Sequence, residues 1–586
     1  MFGYAIAFSH TAQRVDGAGL RGSSGVRNSS GGAVEFVRSH GEVAGIASPD
    51  CVVLGDTTAD GLIVGSARLD GRHLVRNECI GRGTDSARVA SDLALIATTY
   101  RLTGSEGLGR LRGDWAIVVW DPMTRTVVAA RSPLGTRLLY YHASPTALVI
   151  ADSIAALRAW PGVSSALSDR ALHQFLAAGV DEDPHRTTFS DVRRLPSGCL
   201  FTCHLGSAEP TVRRFWDFPT PAPLVGATDG EIVEMFRVRI DDAVRDRTSE
   251  GGASILLSGG LDSTNIAASV RRVDATGRHV AVTNVIHMMD DAGESELAKQ
   301  VARRLGLAHV VLEIGTGLPL AHLDDPSLQL PEPVDDPDVA GWRSYAAQLS
   351  QYGSVVLYGE DGDALLHPPS LLATLQFRPT QETMWSWWHY RRRMGRWPWW
   401  GVAWRRRLRA FMSNEGGVPT WMRLDAPGRA PLTELSAPSA RQRARPVAAK
   451  RLLGPIWQTV HERDDPAVTG VPLDVRLPLL DTRLIEFVMS IPPVPWCQNK
   501  ELLRRAGAPE LPDVVLQRPK TPVPGFYALQ VARWRATWSG ALVLDARLEP
   551  FVHRERVVAA LSGPNAEHVV AAWRVLMLNA WLRGVT

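Results

Sequence analysis

The sequence predicts two folds in series: a strand-rich α+β sandwich in the first third, then an α/β domain on a parallel sheet whose C-terminal part is mostly helical. Three observations predict it. Short β-type runs separated by turn residues fill the first 215 or so positions. A proline-rich, apolar stretch without periodicity, DFPTPAPLVGA from Asp217, then interrupts the pattern as a linker does. Beyond it, strand-like and helix-like segments alternate, which signals a parallel sheet with ligands at the carboxyl ends of its strands.

The N-terminal strands are GYAIAF, DGLIVGSARL, DWAIVVWD, TRTVVAARS, RLLYYHA and TALVIADS, with ARVASDLALIATTYRL as a helix among them. After the linker, Thr228 and Glu231 form a capping-box pair ahead of IVEMFRVRIDDAV, whose apolar residues recur at helical spacing. ASILLS, HVAVTNVI and HVVLEI then read as strands, and LDSTNIAASVRRV and ESELAKQVARRLG as the helices between them. The expected boundaries are residues 1–216, a linker at 217–227, and a second domain over 228–586. No repeat of fixed period is visible.

Composition narrows the function. The 586 residues suggest two to four domains of ordinary size. A formal net charge of +3 is too slight for nucleic-acid binding by the whole molecule. Cys51, Cys79, Cys199, Cys203 and Cys497 are scattered, without zinc-ligand spacing, and read as reduced thiols. There is no signal-peptide pattern and no apolar run long enough to span a bilayer, so a cytoplasmic protein is expected. Of 64 basic residues only Lys299, Lys450, Lys500 and Lys520 are lysine. In a chain that writes nearly every cation as arginine, a lysine marks a place where a compact point charge is needed.

The sharpest motif is ILLSGGLDST, Ile255 to Thr264. A strand runs into Ser-Gly-Gly and a helix starts at once, so backbone N–H groups and the helix N-terminus converge into an anion cradle. Ser258 and Ser263 add hydroxyls, and Asp262 beside a phosphate calls for a bridging Mg²⁺. A second strand-to-loop element, SVVLYGEDGDALL, carries Tyr358, Gly359, Glu360, Asp361, Gly362 and Asp363. Asp262 and Asp363 are the expected metal pair, and Glu360 the candidate for deprotonating or orienting an amine. Whether Glu360 or Tyr358 handles that proton stays open. A third element, NKELLRRAGAPELPDVVLQRPKTPVPG, holds Lys500 and Lys520 downstream of RLPLLDTRLIEF. There a positive charge can stabilise departing pyrophosphate or an oxyanion.

The first loop resembles the pyrophosphate loop of N-type ATP pyrophosphatases (PP-loop, a HUP-type parallel sheet), and no Walker signature is present. Taken in order, SGGLDS, the glycine-acid loop, R-x-P-x-LD, and Lys-x-x-LR followed by R-x-K resemble the synthetase domain of the class B asparagine synthetase superfamily. The resemblance implies ATP and Mg²⁺ as cofactors, ATP contacts from Leu257, Ser258, Gly259, Gly260, Leu261, Asp262, Ser263, Val285, Tyr358 and Gly359, and catalytic roles for Lys520, Glu360 and Lys500. Tyr358 stands where that family has serine, and Ala364 where it has an acid. RLRGDWAIVVWDPMTRTVVAARSPLGTRLLYY and the LPSG turn at Leu195 to Gly198 resemble the family's glutaminase domain, of Ntn-hydrolase type. Its nucleophile is a cysteine directly after the initiator methionine; here position 2 is Phe, so an inactive, structural domain is expected.

An adenylating enzyme without its own ammonia needs an amine from elsewhere, and a substrate carrying both carboxylate and amine is the simplest source. β-Lactam synthetases and lasso-peptide macrolactam cyclases of the same superfamily work in this way. MWSWWHYRRRMGRWPWWGVAWRRRLRA, residues 384–410, holds seven tryptophans and eight arginines. It fits a solvated basic face over buried tryptophans, a wall contacting a peptide or partner, or a nucleic-acid or membrane surface. Trp387 and Trp399 are the candidate substrate contacts. The expectation is a lasso peptide cyclase acting on a leader-cleaved precursor (core) peptide, with a leader-binding protein and a leader peptidase as partners. Nucleic acid and a membrane span are not expected. The alternatives are a β-lactam-type synthetase, an ammonia-dependent asparagine synthetase, and a catalytically silent scaffold or RNA-binding PP-loop protein.

Overall fold

The computed structural model describes residues 3–10, 34–38, 43–48, 51–54, 61–207, 209–248, 251–286, 293–314, 317–324, 330–367, 418–429, 446–518, 525–538 and 540–585, and, between 368 and 417, positions 384, 387, 388, 391, 392, 395 and 397. The N-terminal strands are β1 (Tyr4–Ser9), β2 (Val34–Arg38), β3 (Val43–Ala47), β4 (Val52–Leu54), β5 (Leu62–Leu69), β6 (Gly113–Asp121), β7 (Thr126–Arg131), β8 (Tyr140–Ala143), β9 (Ala147–Ala151), β10 (Arg193–Arg194), β11 (Cys199–His204) and β12 (Thr211–Arg214). They make two antiparallel sheets, β10-β8-β9-β1-β3-β2 and β12-β11-β7-β6-β5-β4.

These strands are apolar on both faces because both faces are covered. Along β1, Tyr4, Ile6 and Phe8 meet Leu62 and Val64 of β5 and Val118 and Trp120 of β6, filling the space between the sheets. Phe8 and Trp120 lie 5.7 Å apart, ring to ring. The intervening residues face outward. Trp115, Ile117 and Val119 of β6 pack under helix Asp92–Leu108, whereas Ala5 and Ala7 of β1 pack under helix Asp169–Ala178. The result is an α-β-β-α sandwich. Its outer layer also takes in Trp573, Leu578 and Trp581 of the C-terminal helix Ala566–Gly584, so the two ends of the chain share one core.

The second region carries β13 (Ser254–Leu256), β14 (Val280–Ile286), β15 (Ala308–Ile314), β16 (Val355–Leu357) and β17 (Asp474–Arg476), all parallel, in the order β15-β14-β13-β16-β17. The chain builds outward from β13 to β15, then returns past β13 to lay down β16 and β17. The reversal falls between β13 and β16. At such a switch point the loops leaving the carboxyl ends of the two strands open a crevice. Helices Asp229–Thr248, Leu261–Val273 and Glu294–Leu305 bury their apolar faces against this sheet. Thr228 and Glu231 cap the first as expected: Glu231 N donates to Thr228 Oγ1 at 3.3 Å, and Thr228 N donates to the Glu231 carboxylate at 2.7 Å. Among the described residues no helix is long and apolar enough to cross a membrane.

A buried ion network ties the regions together. Arg68 of β5 pairs with Asp70 at 2.6 Å and donates through Nε to Asp114 at 2.9 Å; Arg247 reaches Asp70 at 3.2 Å and Asp481 at 2.9 Å. Asp481 is fully buried, and it also takes Arg483 at 2.7 Å. Arg476 donates to the Arg247 carbonyl at 2.8 Å, and Arg137 pairs with Asp474 at 2.9 Å. The R-x-P-x-LD element, Arg476 to Asp481, is thus a clasp against the N-terminal region, and Asp481 also caps helix Thr482–Ser490.

Burial pushes the Asp481 carboxyl up, but hydrogen bonds from Arg483 and the charges of Arg247 and Arg483 outweigh it and hold it well below the ordinary 3.8. Since the folded-state value lies below the unfolded one, its stabilisation is complete above pH 3.8 and is lost as the pH falls below it. Removing the carboxylate takes one of its two anions from each of Arg247, which keeps Asp70, and Arg483, which keeps Asp246, so Asp481→Ala is expected to lower stability by about 3 kcal/mol in urea denaturation at neutral pH. Asp481→Asn should flatten the acid limb of the stability–pH curve relative to the unmodified protein.

Candidate active site

The first glycine loop leaves β13 at Leu257, whose N–H still pairs with the Val282 carbonyl at 2.8 Å. Ser258, Gly259 and Gly260 then turn the chain into helix Leu261–Val273. Gly259 has φ 69°, and a Cβ there would stand 2.9 Å from the Glu294 carbonyl oxygen, so only glycine fits against the neighbouring helix. Ser263 Oγ accepts from Ser258 N at 3.1 Å and lies 3.1 Å from Ser258 Oγ, which locks the cradle from inside the helix. No side chain caps the helix start at Gly260, and a helix N-terminus without such a cap favours an anion. Val285 is the penultimate residue of β14, half-buried at the same end of the sheet.

The second loop leaves β16 at Tyr358, whose N–H pairs with the Arg476 carbonyl at 3.0 Å. Gly359 is the point of closest approach: a Cβ there would stand 2.8 Å from Ser263 N and 3.0 Å from Ser263 Cα. At Gly362 it would meet Asp262 Oδ1 at 2.2 Å. The two loops predicted to converge are therefore in contact, backbone to backbone and backbone to carboxylate. Asp361, between them, is held in the left-handed region at φ 66°.

Lys500 joins the two carboxylates. Its ammonium lies 2.7 Å from Asp363 Oδ1 and closer still to Asp262 Oδ2. Asn499 and Lys500 both take left-handed backbone, φ 49° and 56°, at the entry to helix Glu501–Gly507. Such a conformation costs roughly 1–2 kcal/mol for each non-glycine residue and concentrates at functional sites. One cation already seated between Asp262 and Asp363 shows that the pair is spaced and charged to hold one. Among the described residues no group of three His, Cys, Asp or Glu converges on a metal position. Two carboxylates that leave the other positions to phosphate and water oxygens are the donor set Mg²⁺ takes in nucleotide sites.

Glu360 is exposed although protein surrounds it densely. Burial raises its carboxyl pKa, with the Arg463 charge working against the rise and Asp464 adding to it. Burial likewise drives the Tyr358 hydroxyl well above 10 and Asp361 up to about 7. Arg463 is itself held by Asp464 at 3.3 Å, by Asp336 at 3.7 Å, and by the Trp342 ring 4.4 Å beneath its guanidinium. Arg463, Asp464, Asp336 and Trp342 were not predicted. They come from HERDD and PEPVDDPDVAGW, segments without a motif, and only their density of acids sets them apart.

Lys520 and Trp399 lie outside the described residues. Trp387 is buried, with 8% of its surface exposed, whereas Trp388 is 47% exposed beneath Arg392 at 5.3 Å and Trp397 is 42% exposed beneath Arg391 at 4.6 Å. All five cysteines are buried and unbridged.

A parallel sheet with a pyrophosphate-type loop at its switch point, behind an antiparallel sandwich, defines a nucleotide-using synthetase class. The family model described as asparagine synthase matches residues 235–583, and one described as a glutamine amidotransferase domain matches residues 73–216. The chain belongs to the asparagine synthase family, with an Ntn-hydrolase-like N-terminal domain, and is an ATP-dependent ligase of that family. It is similar to a putative glutamine-hydrolysing asparagine synthetase of Mycobacterium tuberculosis, at 25% identity over 527 residues covering 83% of this chain and 78% of that one. Asparagine synthetase (glutamine-hydrolysing) 3 of Bacillus subtilis is 22% identical over 534 residues, 83% and 79% of the two chains. Among solved structures, glutamine phosphoribosylpyrophosphate amidotransferase from B. subtilis matches with TM-score 0.26 and 12% identity over 63% of this chain and 83% of that one.

Gly359→Ala should push the loops apart, because the new methyl meets Ser263 backbone rather than a movable side chain. ATP-dependent turnover is expected to fall by about a hundredfold, with the far-ultraviolet circular dichroism unchanged.

Proposed function

We propose that the chain is an ATP- and Mg²⁺-dependent macrolactam synthetase acting on a leader-cleaved peptide. An internal Asp or Glu carboxylate attacks the α-phosphorus of ATP and releases pyrophosphate. The peptide's own N-terminal amine then attacks the acyl-adenylate, losing a proton as AMP leaves, and an isopeptide bond closes the ring. The observation that carries this reading is that all five cysteines are buried. Burial pushes the Cys199 thiol up, and Cys203 to about 11, so neither supplies a thiolate at neutral pH. With every thiol buried and phenylalanine at position 2, the reading takes the amine from the substrate itself.

In this reading the Ser258–Ser263 loop, with Leu257 to Leu261 and Val285, holds the nucleotide. Asp262 and Asp363 hold Mg²⁺, which when bound neutralises the phosphate charge. Glu360, kept basic by its raised pKa yet open to the crevice, takes the amine proton, and Tyr358 is positioned beside it. Lys520 meets the departing pyrophosphate. Residues 1–216 serve as a structural partner, joined through 217–227 to the synthetase at 228–586. The Trp- and Arg-rich 384–410 sequence supplies contacts to the peptide, and a leader-binding protein and leader peptidase supply the substrate.

Incubation with ATP, Mg²⁺ and a peptide carrying a free N-terminus and an internal acid should yield a product lighter by one water, with stoichiometric AMP. AMP formed only with a free amino acid, with or without added ammonia, would overturn the peptide reading. Trp387, expected from the sequence to touch the substrate, is buried, so the contact passes to its exposed neighbour Trp388: Trp388→Ala and Trp399→Ala are expected to slow cyclisation more than they weaken ATP binding by calorimetry, and equal loss of both would mean damage to the core.

A further inference from the structure

Lys500 makes a contact that the proposed chemistry does not use. Its ammonium sits on both carboxylates assigned to the metal, within 2.7 Å of Asp363 and in contact with Asp262. We infer that Lys500 is a built-in counter-ion: it occupies the cation position until a divalent metal arrives together with nucleotide phosphates, which take over the displaced ammonium. This rests on the reading of the crevice as the Mg²⁺–ATP site and adds an order of binding to it.

Charge decides the order. Among these three side chains, two carboxylates and one ammonium leave a single negative charge; replacing the ammonium by a divalent ion leaves none. Holding both cations among the same oxygens leaves one excess positive charge with two like charges a few ångströms apart, which is unfavourable in a partly desolvated site. A polyphosphate reverses that balance, because its oxygens accept metal and ammonium at separate positions. Metal alone competes with the ammonium and binds weakly, and metal with nucleotide binds tightly.

Residue choice and backbone agree. A chain with 64 basic residues and four lysines places one of the four here. An ammonium is a compact point charge on a flexible stem, whereas the planar guanidinium fork ties its carboxylates through several fixed donors, as Arg247 ties Asp70 and Asp481. Asn499 and Lys500 hold consecutive left-handed conformations, and Arg504 fixes the turn by donating to the Asn499 carbonyl at 2.8 Å. The flanking Trp496, Gln498 and Glu501 are buried, so the anchor is rigid and only the lysine's own stem is free to swing.

Mn²⁺ binding to the full chain, followed by electron paramagnetic resonance with and without α,β-methylene-ATP, tests this. The unmodified protein should bind Mn²⁺ weakly alone and tightly with the analogue. Lys500→Met should bind Mn²⁺ alone tighter by about tenfold or more, since a site open for a tenth of the time binds a tenth as well. Lys500→Arg should not gain affinity. General damage to the fold lowers affinity and cannot imitate the gain; Lys500→Gln gives the same readout if the methionine variant does not fold. If both uncharged variants bind Mn²⁺ alone no better than the unmodified protein, while all bind it tightly with the analogue, the counter-ion role is wrong and the metal site stands. If none binds Mn²⁺ even with the analogue, the metal site itself fails, and this inference with it.

Discussion

The candidate site depends on one short pairing, the parallel register of β13 with β16, Ser254 opposite Val356 and Ile255 opposite Leu357. Nearly a hundred residues separate these strands in the chain. Their adjacency brings two loops that each end in glycine and carboxylate to the same edge of the sheet. The second loop is stripped of Cβ atoms where it touches the first: Gly359 faces the Ser263 backbone and Gly362 faces Asp262. A side chain at either position would separate Asp262 from Asp363, and a single cation could no longer bridge them. The glycines serve close approach here rather than flexibility.

The N-terminal sandwich is bound into the molecule more deeply than a detachable donor domain needs to be. Its outer helical layer includes the last helix of the chain, with Trp581 donating to the Leu330 carbonyl at 2.9 Å and its ring 5.7 Å from Phe189. The ends of its strands β5 and β6 are clasped through Arg68, Asp70 and Asp114 to Arg247 and Asp481. Buried ion pairs add little net stability over an apolar filling, but a mismatched register would strand a buried charge, so they specify how two surfaces meet. The domain helps seat β17 and the Arg476 carbonyl, to which Tyr358 pairs, and so supports the crevice.

Much of this was legible in the sequence, and the illegible part has a common cause. SGGLDST and YGEDGDALL announce themselves because a strand, a glycine turn and a helix start are adjacent in sequence, and the anion cradle is a local structure. The convergence of Asp262 and Asp363 followed from the rule for parallel sheets. What the sequence hid was contact made across hundreds of residues: Lys500 with Asp262, Arg463 beside Glu360, Asp481 with Arg247. RLPLLD looks like a functional motif and proves to be a clasp, because a spacing pattern does not say which neighbour an arginine finds. Burial also settled which tryptophan is open, since Trp387 and Trp388 are adjacent in sequence but only one of them is exposed.

The electrostatics of the crevice follow a division that the arginine-rich composition makes visible. Where a carboxylate must stay fixed, arginine holds it, as Arg463 is held with Asp464 and Asp336, and Arg247 with Asp481. A guanidinium with several fixed donors is too constrained to leave. Where a charge has to be exchanged for another, the chain uses lysine, whose single ammonium on a flexible stem can release two carboxylates in one movement. The backbone is then strained at the lysine's anchor and relaxed at the arginines, since among these residues only Lys500 and its neighbour Asn499 adopt left-handed backbone. The rigid part of the site thus lies in the loops and their arginine supports, and its movable part is confined to one side chain.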